Sequence, residues 1–70
     1  MNKHFIKIGQ TIDNFTKKLC EDGFSYEEST NYMQIVYDAA TKKYGFMNFL
    51  NIDKDGSDSV IEDITNEFNK

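Results

Sequence analysis

Six side chains that carry oxygen stand at alternate positions, or close to them, in the last third of the chain. They are Asn51, Asp53, Asp55, Ser57, Ser59 and Glu62. Calcium is a hard cation that takes about six to eight oxygen ligands, and a glutamate often supplies two of them. The spacing is therefore compatible with calcium binding by one loop at 51–62. The alternative is a polar turn followed by the acidic first turn of a helix, where carboxylates are favourable.

The same stretch resembles an EF-hand loop when Asn51 is counted as its first position. Gly56 then falls at position six and Glu62 at position twelve, as in that family. Two residues depart from the family's pattern: Asn51 stands where the family has aspartate, and Asp58 stands at position eight in place of a branched apolar residue. The resemblance covers 12 of the 70 residues and implies a single-loop calcium-binding module, which is the alternative function.

The residue types that usually carry catalysis are few and isolated. His4 is the only histidine, and no neighbour in the sequence would orient it as a base. Cys20, the only cysteine, falls beside an apolar stripe, where a half-buried and unreactive thiol is expected. Carboxylates four residues apart near the C-terminus would need a cleft with two different environments to act as acid and base. The sequence therefore predicts a protein that is not an enzyme and has no cofactor.

Charge is distributed unevenly along the chain. The net charge is −4, but residues 1–20 carry four lysines and one acid, whereas residues 21–70 carry four lysines and eleven acids. No arginine occurs, so the side chain best suited to bidentate contacts with guanine or phosphate is missing. We therefore expect no direct binding to nucleic acid, and expect instead a partner protein with a basic surface.

The acids that would contact such a partner lie close to the C-terminus. They are Asp55, Asp58, Glu62, Asp63 and Glu67. Four-residue steps on a helix rise about 6 Å, within a factor of two of the charge spacing of about 3.4 Å along a DNA strand. This pattern favours an acidic interaction module, in its most concrete form a DNA mimic that inhibits or modulates a nucleic-acid-binding host protein, as small acidic proteins of phages and mobile elements do. An ordinary solvated acidic face is the alternative.

Apolar periodicity predicts one all-α domain over residues 1–70, a small three-helix bundle. Apolar residues spaced by three and four predict a first helix from Lys3 to Cys20, in which Gly9 marks close packing against a neighbour. Gly23 ends this helix, with Phe24 folding back on it. Capping boxes at Ser25/Glu28 and Ser59/Glu62 predict a second helix over 25–44 and a third over 60–68. Residues 46–50 are predicted to add a helical turn or a short extended piece, and 51–57 to form a loop.

The second helix carries two apolar stripes, where a surface helix needs one. Met33, Val36, Ala40 and flanking tyrosines form the first stripe. Tyr32, Ile35 and Ala39 form the second, roughly on the opposite side. We expect the second helix to be central, with the first helix covering the first stripe and the third helix covering the second. If both helices pack on the first stripe, Tyr32 and Ile35 become a surface for a partner or for a homo-oligomer.

The N-terminus and the cysteine content bear on location. Charges interrupt the short apolar run at the N-terminus, which excludes the core of a signal peptide there. One cysteine cannot form an intramolecular disulfide, which fits a reducing compartment. We therefore expect a cytoplasmic protein that does not bind membranes.

Overall fold

The computed structural model describes residues 2–42, 44 and 51–70. Within them the chain forms three helices, α1 (Lys3–Glu21), α2 (Tyr26–Thr41) and α3 (Lys54–Phe68), and no strand. Each helix contacts both of the others. The predicted all-α three-helix bundle is confirmed. The predicted helical turn at 46–50 lies outside the described residues.

The chain ends α1 and turns toward α2 at Gly23, as predicted. The Phe24 N–H donates to the Leu19 carbonyl at 3.2 Å, and the Gly23 N–H donates to the Cys20 carbonyl at 3.1 Å. This pair of bonds closes the helix end only if the residue after the cap is left-handed, and Gly23 has φ of 107°. Phe24 does not fold back fully on α1, since about half of it stays exposed.

The predicted capping box starts α2. The Glu28 N–H donates to Ser25 Oγ, and the Ser25 N–H donates to Glu28 Oε1, both at 3.0 Å. The bond from the Ser25 backbone holds the pKa of Glu28 below its ordinary value, because it stabilises the ionised carboxylate. At its other end α2 stops at Thr41, three residues before the predicted end at Tyr44, whose N–H donates to the Thr41 carbonyl at 2.9 Å.

The third helix starts six residues before the predicted Val60, so the prediction of a loop over 51–57 is wrong from Lys54 onward. Asp53 is the N-cap, and its Oδ1 accepts a hydrogen bond from the Gly56 N–H at 2.8 Å. Aspartate and serine cap helices about equally well, and the start at Asp53, not the predicted capping box at Ser59 and Glu62, is the one that buries Ser57 against α1. The short polar residues that suggested a loop form the first turns of the helix.

The core lies where the three helices meet. Its fully buried apolar residues are Ile8, Met33, Val36, Ala40, Ile52, Val60 and Ile64. The first stripe of α2 supplies three of them, as predicted, although Tyr26 at its start is 73 % exposed. Ile12, Phe15 and Leu19 of α1 pack at the margin. A chain of this size buries only about 60% of its surface on folding, so each of these residues carries a large share of the stability.

The prediction that the third helix covers the second stripe of α2 is wrong. Ile35 is 68 % exposed and Ala39 is also exposed, while Tyr32 is 42 % exposed and touches α3 only through Phe68. The physical reason is that Val60 and Ile64 pack into the same core as Ile8 of α1. Both neighbouring helices therefore pack on the first stripe.

Polar contacts tie the N-terminus of the chain to the start of α3. Asn2 Nδ2 donates to the Ile52 carbonyl at 3.1 Å, and Ser57 Oγ donates to the His4 carbonyl at 3.3 Å. Ser57 is buried, and its small side chain lets the two helices approach. These bonds span about 50 residues of sequence and set the position of α3 against α1.

Replacing Ile64 by alanine should remove a large part of the stability. The side chain has no exposed surface, so the expected loss in the free energy of unfolding is about 2 to 4 kcal/mol, measured by urea denaturation. Ile35→Ala is the matched control, and because Ile35 is mostly exposed its loss should stay within about 0.5 kcal/mol. Equal losses at the two positions would contradict this packing.

Gly9 and Gly56 are both helical glycines, but they lie in different surroundings. A Cβ at Gly9 would meet nothing within 4 Å, so the predicted close packing at Gly9 is wrong. A Cβ at Gly56, in contrast, would lie 2.8 Å from Ile52 Cγ1. Gly9→Ala should therefore raise the free energy of unfolding by about 1 kcal/mol, the usual helix-propensity gain. Gly56→Ala should gain less or destabilise, because the buried Ile52 must move. Equal gains in urea denaturation would show that Ile52 is not closely packed.

Candidate interaction surface

The acidic residues of α3 lie around its solvent-facing side. Asp55 and Glu62 are exposed, and Asp58, between them in the sequence, is half-buried. At about 100° per residue these three share one face, and Asp63 and Glu67 lie on the flank that faces α2. We call these five residues the acidic edge. The sequence predicted a helix only from Val60, with Asp55 in a loop, whereas the structure places all five on α3 and divides them into an outer group and an α2-facing group.

Asp58 is the acid most engaged within the protein. Its Oδ2 accepts a hydrogen bond from Lys54 Nζ at 3.0 Å, and its Oδ1 lies 3.4 Å from Lys7 Nζ of α1. The bond from Lys54, with a smaller contribution from Lys7, holds the pKa of Asp58 below its ordinary value. Asp58 therefore joins α3 to α1, and two ammonium groups offset its charge.

Glu67 is also paired, but near the end of the chain. Its Oε1 lies 3.1 Å from Lys70 Nζ, and that lysine side chain is 75 % exposed. An exposed pair of this kind contributes about 0 to 1 kcal/mol, so an incoming cation could replace Lys70. Asp55 and Glu62, by contrast, are exposed to solvent.

An apolar strip runs along α2 beside the acidic edge. It consists of Phe24, Tyr32, Ile35 and Ala39. The edge of the Tyr32 ring meets the Phe68 ring, with centroids 6.1 Å apart, and Phe68 stacks on Phe15 at 4.3 Å. Tyr32 is therefore held from behind by an aromatic contact. Ile35 projects further outward, as its exposure of 68 % shows.

Two hollows open at the two ends of the apolar strip. The first encloses about 330 Å³ and is lined by Leu19, Phe24, Glu28, Ser29 and Tyr32. The second encloses about 350 Å³ and is lined by Ala39, Ala40, Lys42, Asp63, Asn66 and Glu67. One hollow is mainly apolar, and the other is lined by two alanines, two carboxylates, an amide and the Lys42 ammonium side chain. The surface thus combines both kinds of predicted partner-binding residue, Tyr32 and Ile35 with Asp63 and Glu67.

Sequence reasoning did not assign Phe24 and Glu28 to this surface. Phe24 has the sequence position of a hydrophobic contact that closes a helix end, and Glu28 that of a capping box. Both residues serve helix ends and also line the apolar hollow. Their surface role depends on how α1 and α2 meet, for which periodicity gives no signal.

The six oxygen ligands expected for calcium do not converge. Asp53 caps α3, and Ser57 is buried with its hydroxyl bonded to His4. Residues 54–62 are helical, and residues two apart on a helix point about 200° apart. Asp55, Ser57 and Ser59 therefore cannot face one ion, and Asn51 and Glu62 lie at opposite ends of the stretch. Within residues 2–42, 44 and 51–70, no group of three or more His, Cys, Asp or Glu side chains could hold a metal ion.

The other groups considered for chemistry do not line the two hollows. Cys20 is half-buried, as predicted, and its thiol donates to Ser29 Oγ at 3.4 Å. His4 is half-buried near the start of α1. On the other side of α2, a shallow groove of about 550 Å³ lies between α1 and α2, with Met33 and Tyr37 at its base and Asp13 and Lys17 on its rim.

The lowered pKa of Asp58 predicts a pH dependence of stability. The pKa of Asp58 is lower in the folded protein than in the unfolded chain. The ion pairs of Asp58 therefore contribute their full stabilisation above the ordinary aspartate pKa of 3.8, and this stabilisation is lost as the pH falls through the folded pKa. Asp58→Asn should therefore destabilise the protein at neutral pH, and its deficit relative to the parent chain should vanish in acid and shrink in high salt. Glu62→Gln, one turn further on, is the matched control and should change stability little. A deficit independent of pH and salt would contradict the ion pairs.

None of the described helices is long and apolar enough to cross a membrane. Comparison of the chain with protein families, curated proteins and solved structures gave no match. The geometry of the surface is therefore the basis on which a function is proposed.

Proposed function

We propose that this chain is a non-enzymatic interaction module that binds a basic surface of another protein. The observation that carries the proposal is the exposure of Ile35 and Tyr32, at 68 % and 42 %, on the same side of α2 as Ala39, which lines a hollow together with two acids of α3. The partner in its most concrete form is a nucleic-acid-binding protein of the cytoplasm, which the module would inhibit or modulate.

The apolar strip supports binding because its residues would be more stable out of water. A buried isoleucine or tyrosine side chain gains roughly 1.5 to 3 kcal/mol relative to an exposed one. Phe24, Tyr32 and Ile35 are partly exposed on one face. The domain has a small core, and while no partner is bound these side chains do not contribute that free energy of burial. Tyrosine also suits an interface, since it offers rigid area with a polar tip.

The acidic edge supports the choice of a basic partner. Asp55 and Glu67 lie twelve positions apart on α3, a rise of about 18 Å, which is roughly five phosphate steps of a DNA strand. Carboxylates spread over that length attract a cationic groove at long range and speed encounter with it. Lys54 and Lys7 offset Asp58, and Lys70 pairs with Glu67, so the resemblance to a row of phosphates rests mainly on the exposed Asp55 and Glu62.

Charge reversal on α3 should weaken binding. The chain would be used to capture proteins from a lysate of the host, the captured protein identified by mass spectrometry, and its purified form titrated by calorimetry. Glu62→Lys combined with Glu67→Lys should weaken that complex at least about tenfold, and nucleic acid should compete with the chain for the partner. Binding should also weaken as salt rises.

The matched control is Asp13→Lys with Glu21→Lys, which makes the same change in net charge on exposed positions of α1. These substitutions should leave the affinity within about twofold. A complex that survives reversal on α3, or that is equally weakened by reversal on α1, would count against the acidic edge as the binding surface.

A further inference from the structure

We propose that the turn between α1 and α2 is a site of spontaneous covalent modification, at which Asp22 converts to isoaspartate through a cyclic imide formed with the backbone nitrogen of Gly23. The reaction needs only solvent water, and it does not depend on the proposed function. The proposal is carried by a contrast within the chain. The Asp22–Gly23 pair lies in a turn that is exposed throughout, whereas a second pair, Asp55–Gly56, lies in a closely packed helix start.

The chemistry is an attack by one group of the chain on its neighbour. The Gly23 nitrogen bonds to Cγ of the protonated Asp22 carboxyl group, whose hydroxyl leaves together with the amide proton as water. Water then adds to one of the two carbonyls of the imide ring and breaks its bond to nitrogen. Opening at Cγ restores aspartate, and opening at the α-carbonyl leaves isoaspartate, with the chain running through Cβ and Cγ. The water released by ring closure is returned by ring opening, and nothing is oxidised or reduced.

Glycine after an aspartate favours this attack. A Cβ on the attacking residue would crowd the carboxyl group as it approaches, and glycine has none. Glycine follows aspartate at 22–23 and at 55–56, and it follows no other aspartate and no asparagine in the sequence. The sequence therefore offers two candidate sites with the same reacting groups.

The turn at Asp22 opens without disturbing the core. Every residue from 21 to 28 is exposed, and Phe24 is already 51 % exposed. The N–H groups of Gly23 and Phe24 donate to carbonyls in the last turn of α1 at 3.1 and 3.2 Å. Asp22 has ψ of 0°, so its Cα–C bond must rotate before the Gly23 nitrogen meets Cγ. That rotation exchanges a few exposed backbone bonds for bonds to water, and segments of this kind open locally.

The packing of α3 holds the second pair closed. The Gly56 N–H donates to Asp53 Oδ1 at 2.8 Å, and Gly56 lies closely against the buried side chain of Ile52. The next residue, Ser57, is buried and bonded to a carbonyl of α1. Rotation about the Asp55 Cα–C bond would break the N-cap and draw Ser57 away from α1. The Gly56 nitrogen is therefore kept from its aspartate while the bundle is folded.

Isoaspartate at position 22 changes the shape of the turn. The turn depends on one left-handed residue directly after the cap, and Gly23 supplies it with φ of 107°. Isoaspartate inserts one more backbone carbon before that residue, which puts the Gly23 and Phe24 N–H groups out of register with the carbonyls of α1. Ser25, the N-cap of α2, follows directly. The modified chain should therefore unfold at a lower urea concentration than the parent chain.

The test is incubation of the folded full chain at neutral pH in water enriched in the heavy oxygen isotope, followed by digestion and mass spectrometry. Ring opening at either carbonyl leaves one heavy oxygen at that aspartate, and fragmentation of the peptides locates it. Label should accumulate at Asp22 at least about tenfold faster than at Asp55, because the two sites differ in the free energy of local opening. In chain unfolded by guanidinium chloride, the two sites should gain label at similar rates.

Asp22→Glu is the unreactive variant, because a glutamate would have to close a larger ring. It keeps the charge at an exposed position, so the label at position 22 should be lost while the helix content and the urea midpoint stay those of the parent chain. Asp55→Glu is the matched control at the other pair and should leave labelling of Asp22 unchanged. A methyltransferase specific for isoaspartyl carboxyl groups should modify the incubated parent chain at position 22 and should not modify Asp22→Glu.

Label at neither site of the folded chain, equal label at both sites, or label that persists at position 22 in Asp22→Glu would each overturn the proposal. Failure of Asp55 to gain label in the unfolded chain would show that local sequence, and not the packing of α3, protects it, which would also overturn the proposal. These measurements involve no partner protein, so their failure is distinct from failure of the proposed function.

Discussion

The hydrogen bond from the Gly56 N–H to the Asp53 side chain sets where α3 begins, and the rest of the bundle depends on that point. Starting at Lys54 gives α3 its full length of 15 residues. Ser57 then lies in the first turns, facing His4 of α1, and Val60 and Ile64 follow on the same side into the core. One N-cap thus sets which residues of α3 are inside and which acids are outside.

Once α3 is seated on α1, it cannot also cover the outer stripe of α2. Its apolar residues Val60 and Ile64 are buried in the core that all three helices share, and Phe68 near its end contacts Tyr32. The same seating carries Asp63 and Glu67 to the margin of the exposed stripe, next to Ala39. Apolar and acidic groups meet at this surface because of how the helices pack, although they are far apart in the sequence.

Some polar side chains of the bundle bond to other parts of the fold, and others are exposed to solvent. Asn2, Ser57 and Asp58 join the N-terminal end of the chain to α3 through hydrogen bonds and an ion pair. Glu28 is committed to the start of α2. Asp55 and Glu62 point to solvent, so the charge that an approaching protein meets comes from positions that the fold does not require.

Local sequence signals determined much of this protein by themselves. The apolar spacing of α1, the left-handed Gly23 and the Ser25 capping box predicted three confirmed features, because each acts over one or two helical turns. The same kind of reasoning misplaced the start of α3, since Asp53 and Ser59 are both capping residues, and the early start is the one that lets Ser57 and Val60 pack against the other helices. It also predicted that the third helix would cover Tyr32 and Ile35, which is wrong. Only the tertiary structure decided which face is covered, because periodicity places residues on faces of a helix, whereas the burial of a face depends on where the neighbouring helices find room in a common core.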